Sequence, residues 1–241
     1  MPEVDKKVSI VVPTYNERDN VQILCEGIRE ALEPRWDYEI IVVDDNSPDG
    51  THEIVRQLGA EDSRIKLLQR IGKLGLGSAV TAGFAQASGD YWVMMDADLS
   101  HRPEDLPNLL NTLSNADIAV GSRYVQGGGV VNWPLWRRVV SRGASALGRL
   151  IVGLPICDLT SGFGAFRRSH MEALLPKLSP KGFKLLLEIL AKSGDALVKE
   201  TPITFVDRQH GRSKASAGEA LLFLRLCFEL RGQRRGQGRG S

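Results

Sequence analysis

Hydrophobic residues follow two rhythms along the first half of the chain. Val8-Ser-Ile-Val-Val12 and Tyr38-Glu-Ile-Ile-Val-Val43 are short, nearly continuous apolar runs. That is the pattern of strands covered on both faces of a sheet. Between them, residues 19–32 place Val21, Leu24, Ile28 and Leu32 at helical spacing. The alternation continues with a helix over 51–58, a strand over 65–68, a helix over 76–87 and a strand over 91–95. A helix over 103–113, with Pro103 in its first turn, and a strand over 118–120 complete it. Strict alternation to about residue 122 predicts a Rossmann-like α/β domain with a mostly parallel central sheet and helices on both faces.

The second half is less regular. Gln126-Gly-Gly-Gly129 is a flexible break. Residues 135–151 predict a helix bearing Arg137, Arg138, Arg142 and Arg149, residues 185–191 a further helix, and residues 196–206 a strand. A polar, basic loop over 209–215 precedes a last helix over 218–230. The reading is one catalytic-size domain over 1–215, an apolar or amphipathic helix over 216–230, and an Arg/Gly-rich disordered tail over 231–241.

In such sheets ligands bind beyond the carboxyl ends of the strands. Those ends carry Pro13-Thr-Tyr-Asn-Glu17, Asp44-Asp45 and Asp96-Ala-Asp98, so the polar residues collect where the fold puts its pocket. Asp96 and Asp98 follow an apolar strand directly. Carboxylates at a buried strand's mouth repel each other unless a cation compensates, and hard cations bind through one or two carboxylates plus substrate phosphates. The bland alternative is a helix-capping loop. Asp45 is read as a ligand contact and Asp49-Gly50 as turn chemistry. Gly72-Lys-Leu-Gly75-Leu-Gly77 has neither dinucleotide nor P-loop spacing, which leaves a close backbone approach or a tight turn. Arg123 follows the fifth strand, Arg137 and Ser141 share one helix face, and Arg208 and Lys214 sit in the basic loop. His52, His101, His170 and His210 form no metal spacing, and no nucleophile triad is legible.

Composition adds limits. A net charge of +2 with 42% hydrophobic and 25% charged residues is ordinary for a soluble globular chain and gives no argument for nucleic acid. Cys25, Cys157 and Cys227 form no disulfide framework, so a reducing compartment is expected. The N-terminus reads as no signal peptide, and the most apolar stretch, 220–230, is broken by Arg225 and Glu229. The chain is expected to lie on a membrane rather than cross one.

Nine segments together resemble family 2 glycosyltransferases, and within them the dolichol- or polyprenol-phosphate mannose synthases. They are Val12-Pro-Thr-Tyr-Asn-Glu17, Val43-Asp-Asp-Asn-Ser-Pro-Asp-Gly-Thr51, Lys73-Leu-Gly-Leu-Gly77, Met95-Asp-Ala-Asp-Leu-Ser-His101, Gly121-Ser-Arg-Tyr124, Asn132-Trp-Pro-Leu135, Thr160-Ser-Gly-Phe163, Lys181-Gly-Phe-Lys184 and Arg208-Gln-His-Gly-Arg-Ser-Lys214. The resemblance implies a single-domain GT-A fold and inverting transfer of mannose from GDP-mannose to a dolichyl or polyprenyl phosphate. It implies that Pro13, Tyr15, Glu17, Val43 and Asp45 hold the guanosine. Asp96, Ala97 and Asp98 would hold the diphosphate and sugar, with Asp98 as chief ligand of Mg²⁺ or Mn²⁺. Ser100 stands where some relatives offer Gln to the metal. Arg208 and Lys214 would close over the donor, with Arg123 also near it, and Arg123, Arg137 and Ser141 would receive the lipid phosphate. The implied setting is peripheral, on the cytoplasmic face of a membrane, with room for a membrane-anchored partner subunit. The rivals are a UDP-glucose-dependent transferase of the same chemistry and a nucleotide- or RNA-binding module using the Arg-rich tail.

Overall fold

The computed structural model describes residues 6–179, 184–207 and 217–237. In chain order the elements are β1 (Lys7–Thr14), α1 (Arg18–Leu32), β2 (Asp37–Asp44), α2 (Thr51–Glu61), β3 (Ile65–Gln69), α3 (Leu76–Gln86) and β4 (Tyr91–Met94). A 3₁₀ turn (Pro103–Asp105) then leads into α4 (Leu106–Thr112), β5 (Ile118–Ser122), β6 (Gly129–Val131) and α5 (Leu135–Val152). After these come β7 (Gly164–Arg167), α6 (Arg168–Leu174), α7 (Leu185–Lys192), β8 (Val198–Pro202), β9 (Thr204–Val206) and α8 (Ala217–Gln237).

Seven strands form one sheet in the order β3-β2-β1-β4-β7-β5-β8. β7 runs antiparallel to both of its neighbours, and every other pairing in this sheet is parallel. β6 and β9 pair separately. Side chains alternate across the sheet as strand geometry requires. Val8, Ile10 and Val12 enter the core shared with α1 and α4, whereas Val11 enters the one shared with α3, α5, α7 and α8. α3 comes close to the sheet because its facing residues are small. A Cβ on Gly83 would stand 2.3 Å from the Val11 side chain.

Chain order runs outward from β1 to β2 and β3, then returns to β4 on the other side of β1. The carboxyl ends of β1 and β4 therefore flank the crevice where connections diverge. At the opposite end of the strands, buried Glu39 fastens three segments. It accepts from the Ser9 hydroxyl at 2.6 Å, the Ser88 amide at 2.8 Å and the Lys66 ammonium at 2.6 Å.

The strand predicted over 196–206 is two strands in two sheets. Pro202 cannot donate to a ladder and ends β8, and the chain turns there into β9. The last helix continues through Gln237, into the stretch expected to be a disordered tail. Arg and Gln are good helix formers, and arginines at a helix C-terminus complement its dipole. Among the described residues, no helix is long and apolar enough to cross a membrane.

Candidate functional site

The residues at the end of β1 are braced by those at the end of β2. Asp44 is fully buried and accepts from the Thr14 hydroxyl at 3.1 Å and the Ser47 amide at 2.9 Å. Asp49 accepts from the Thr51 amide and hydroxyl and from the Arg18 amide, and Gly50 takes a φ of 89°. Both residues are thus turn chemistry. Tyr15 is partly exposed, and the Lys73 ammonium lies 3.6 Å above its ring centre. Glu17 precedes α1, and its carboxylate accepts from Asn20 at 2.7 Å. Val43 and Ala97 are buried in the core, so a ligand meets only their main chain.

Asp45 is more occupied than the sequence suggested. Arg70 grips its Oδ1 through both Nε, at 2.6 Å, and Nη2. The Leu74 and Gly75 amides donate to Oδ2 at 3.0 and 2.9 Å. Four donors use the acceptor capacity of one carboxylate. Asp45 therefore anchors the Gly72–Gly77 loop that carries Lys73.

Asp96, Ala97 and Asp98 leave the end of β4. Asp98 Oδ1 accepts from the Ser100 amide at 3.0 Å. Leu99 between them has a φ of 60°, a left-handed conformation that costs an ordinary L-residue roughly 1–2 kcal/mol. Strain of this kind collects at functional sites. Asp96 lies against the backbone of Gly162, where an added Cβ would meet its Oδ2 at 2.4 Å. Beside it opens a cavity of about 100 Å³, bounded by Pro13, Ser161, Gly162 and Lys184 among others. A larger hollow of about 470 Å³, at Tyr38 and Arg64, lies at the other ends of the strands. Arg64 there is already paired with Glu33 and Asp62.

Among the described residues, no group of three or more His, Cys, Asp or Glu is placed to hold a metal. Two acids one residue apart suit an ion that takes its remaining ligands from substrate phosphates and water, which is how Mg²⁺ binds. Ser100 is buried, and its hydroxyl has no hydrogen-bond partner among the described residues. The donor set therefore fits a hard divalent cation completed by a diphosphate.

The basic residues have partners within the protein. Arg123 is buried and locked to Asp158, with Nε to Oδ2 and Nη2 to Oδ1 both at 2.7 Å. Nη2 also donates to the Thr160 hydroxyl at 2.8 Å, which leaves Nη1 without a hydrogen-bond partner among the described residues. Burial opposes the charge, but the hydrogen bonds and charge of Asp158, with Tyr124 and Asp96 behind, hold the guanidinium pKa above its ordinary value. Arg123 is thus first a structural cation that sets the field at Asp96. Arg137 lies 4.3 Å above the Trp133 ring and pairs with Asp207 at 2.7 Å. Ser141 accepts from the Tyr124 hydroxyl at 2.6 Å. Arg208 and Lys214 lie outside the described residues.

Sequence reasoning missed Arg70, Asp158 and Asp207, and it quoted Trp133 only within the segment Asn132-Trp-Pro-Leu135. One signal was available for Asp158, which is the only acid between Asp117 and Glu172 in a stretch rich in arginine.

The profile of "Glycosyl transferase family 2" matches residues 9–175. A "Dolichol-phosphate mannosyltransferase" of Pyrococcus furiosus is 45% identical over 229 residues, which are 93% of this chain and 63% of that protein. The chain thus spans less than two thirds of that relative. An "Undecaprenyl-phosphate mannosyltransferase" of Micrococcus luteus is 40% identical over 219 residues, 88% of each chain. Glucosyl-3-phosphoglycerate synthase of Mycobacterium tuberculosis, solved with Mn²⁺, UDP-glucose and glycerol 3-phosphate, superposes with a TM-score of 0.67. It is 20% identical, with coverage of 96% of this chain and 81% of that one, a likeness of fold.

Proposed function

The chain belongs to glycosyl transferase family 2, and on that premise we propose that it transfers mannose from GDP-mannose to a dolichyl or other polyprenyl monophosphate, inverting the anomeric carbon. The observation that supports this reading is a chain of contacts between two unlike sets: Arg123 acts on Asp96 through its charge and lies 5.2 and 5.3 Å from the Tyr124 and Trp133 ring centres, and these in turn touch Ser141 and Arg137. Asp96 and Asp98 stand at the end of β4, and Arg137 and Ser141, from α5, stand with Arg123 and Tyr124 beyond β5. The first set suits a metal-bound diphosphate and the second an anionic acceptor.

In this reading Tyr15 and Lys73 cover the nucleoside, Pro13 and Glu17 border it, and Val43 meets it through its main chain. Asp45 acts by holding the loop that brings Lys73 over Tyr15. Asp98, Asp96 and Ser100 would hold Mg²⁺ or Mn²⁺, which neutralises charge on the departing diphosphate when bound. Arg208 and Lys214 close on the donor, as the family pattern implies. Arg137 and Ser141 orient the acceptor phosphate, with Arg123 supplying its remaining Nη1.

A phosphate monoester has a second pKa near 6, so the attacking oxygen is already anionic at neutral pH. No protein base is then required. The protein's share is positioning and electrostatics. Because the acceptor is a lipid, the enzyme works peripherally at the cytoplasmic face of a membrane, alone or with an anchored partner.

The test offers purified protein GDP-mannose or UDP-glucose with Mg²⁺ or Mn²⁺ and a polyprenyl phosphate. Mannosyl lipid formed from GDP-mannose is the expected product. Glucosyl lipid from UDP-glucose, or salt-sensitive RNA binding with no sugar turnover, overturns the proposal.

A further inference from the structure

Asn132, Trp133 and Pro134 join β6 to α5, and their backbone is more constrained than a linker needs. Asn132 takes a φ of 62°, in the left-handed region that strains most L-residues and that Asn tolerates best. Pro134 biases Trp133 towards extended backbone and is itself the N-cap of α5. The three residues make a stiff bracket. What the bracket delivers is the buried indole of Trp133.

That indole seats two cations. The Arg137 guanidinium lies 4.3 Å and the Arg123 guanidinium 5.3 Å from its ring centre, both within cation–π range. Phe205 meets the indole nearly at right angles, with ring centres 5.3 Å apart, and its own centre lies 5.2 Å from Arg123. β6 pairs with β9, Val130 opposite Phe205, and so ties the bracket to this second ring. Arg137 needs such a seat. It lies in the first turn of α5, where a cation opposes the helix dipole, and α5 contains no acid to offset it. Trp133 holds it there together with Asp207. The indole N–H has no hydrogen-bond partner among the described residues, so Trp133 works here through its ring.

We propose that Trp133 is a positioning residue for the acceptor, which spaces the Arg123 and Arg137 guanidiniums so that one phosphate meets both. Like charges on long side chains separate unless something fixes them. Asp158 fixes Arg123, Asp207 pairs with Arg137, and the shared ring sets the separation of the two. Arginine suits this arrangement because its flat cation stacks on an aromatic face, which a lysine ammonium does not do. The inference rests on the lipid-acceptor reading and deepens it, by naming the group that gives the phosphate clamp its geometry. Trp133 touches no substrate in this scheme.

The experiment measures steady-state mannosyl transfer by the full chain, varying GDP-mannose and a short, water-soluble polyprenyl phosphate separately. Trp133→Leu keeps an apolar filler but no ring, and should raise the acceptor KM about fivefold while the donor KM stays within about twofold of wild type. Trp133→Phe keeps a ring without the N–H and should recover most of that loss. Arg137→Lys keeps the charge but not the stack, so it should raise the acceptor KM about as much as Trp133→Leu does. In an Arg137→Lys background, Trp133→Leu should add less than about twofold, because the contact it acts through is already gone. Equal rises in acceptor and donor KM, or a fall in kcat alone, would mean a purely structural tryptophan and overturn the proposal. Trp133→Phe as damaging as Trp133→Leu overturns it too, as does full additivity in the double variant. If Trp133→Leu does not fold, Arg137→Lys decides, and an unchanged acceptor KM there refutes the seat. Wild type that transfers mannose while all variants keep its KM values leaves the reaction standing and the positioning role refuted. A wild type that transfers no mannose removes both.

Discussion

Gly162→Ala tests how the site holds its acids. The added methyl would stand 2.4 Å from Asp96 Oδ2, where ordinary contact begins at 3.4 Å, so the carboxylate must retreat by about 1 Å. The clash falls on the far end of a side chain at the rim of a cavity, not on backbone. The fold can therefore absorb it cheaply. The chemistry cannot, because misplacing a catalytic group by about 1 Å costs on the order of 100-fold in rate, or about 2.7 kcal/mol of barrier. The assay is kcat/KM for mannosyl transfer at saturating metal, with a thermal melt alongside. The expected pattern is a loss of about 100-fold with a melting temperature within a few degrees of wild type. In an Asp96→Ala background the same substitution should leave metal-dependent donor binding unchanged, since its target is gone. Activity within about threefold of wild type would refute the reasoning. So would an additive loss in the double variant.

Asp158→Ala leaves Arg123 buried without its partner and should destabilise the protein by about 3–5 kcal/mol, seen as a drop of about 10 °C in the melting temperature. Burial alone would raise the Glu39 carboxyl, but hydrogen bonds from Lys66, Ser9 and Ser88 outweigh it and lower its pKa from 4.5 to about 2. A depressed folded-state pKa stabilises above the unfolded value and is lost as pH falls between about 5 and 2. That is about 3 kcal/mol, which urea titrations of wild type and Glu39→Gln across this range should reveal as a slope absent in the variant. On the proposed reading, Arg137→Ala removes a charged contact to the acceptor phosphate. It should raise the lipid-phosphate KM about tenfold or more while the donor KM stays within twofold in steady-state assays.

The parallel half of the fold was legible because fully buried strands and amphipathic helices differ in period, and β1 to β5 keep that contrast. β7 was not. It is four residues long, sits among glycines and serines, and pairs with segments far away in sequence, Tyr91 opposite Arg167. The end of β8 was hidden for the opposite reason, since apolar and β-branched residues run on past Pro202 into another sheet. In the site, acids at strand ends were readable because topology alone brings such ends together. The pairing of Arg123 with Asp158 was not readable, because burial of a single arginine leaves no periodic trace and its partner lies 35 residues away. Asp45 was read as a ligand contact, and only the folded loop shows that Arg70, Leu74 and Gly75 also donate to its carboxylate. The outward turn of Leu135 and Leu150 on α5, 76% and 79% exposed, was not legible, because a 3.6-residue period reads the same whether the apolar face turns inward or outward.

The claim at the centre of this account is a single displacement by an already anionic lipid phosphate, with no protein nucleophile. The anomeric configuration of the product tests it most directly. The product made from GDP-α-mannose would be isolated and the one-bond carbon–hydrogen coupling read at its anomeric carbon. A β-linked mannosyl phosphate is the predicted result. An α-linked product would contradict the account.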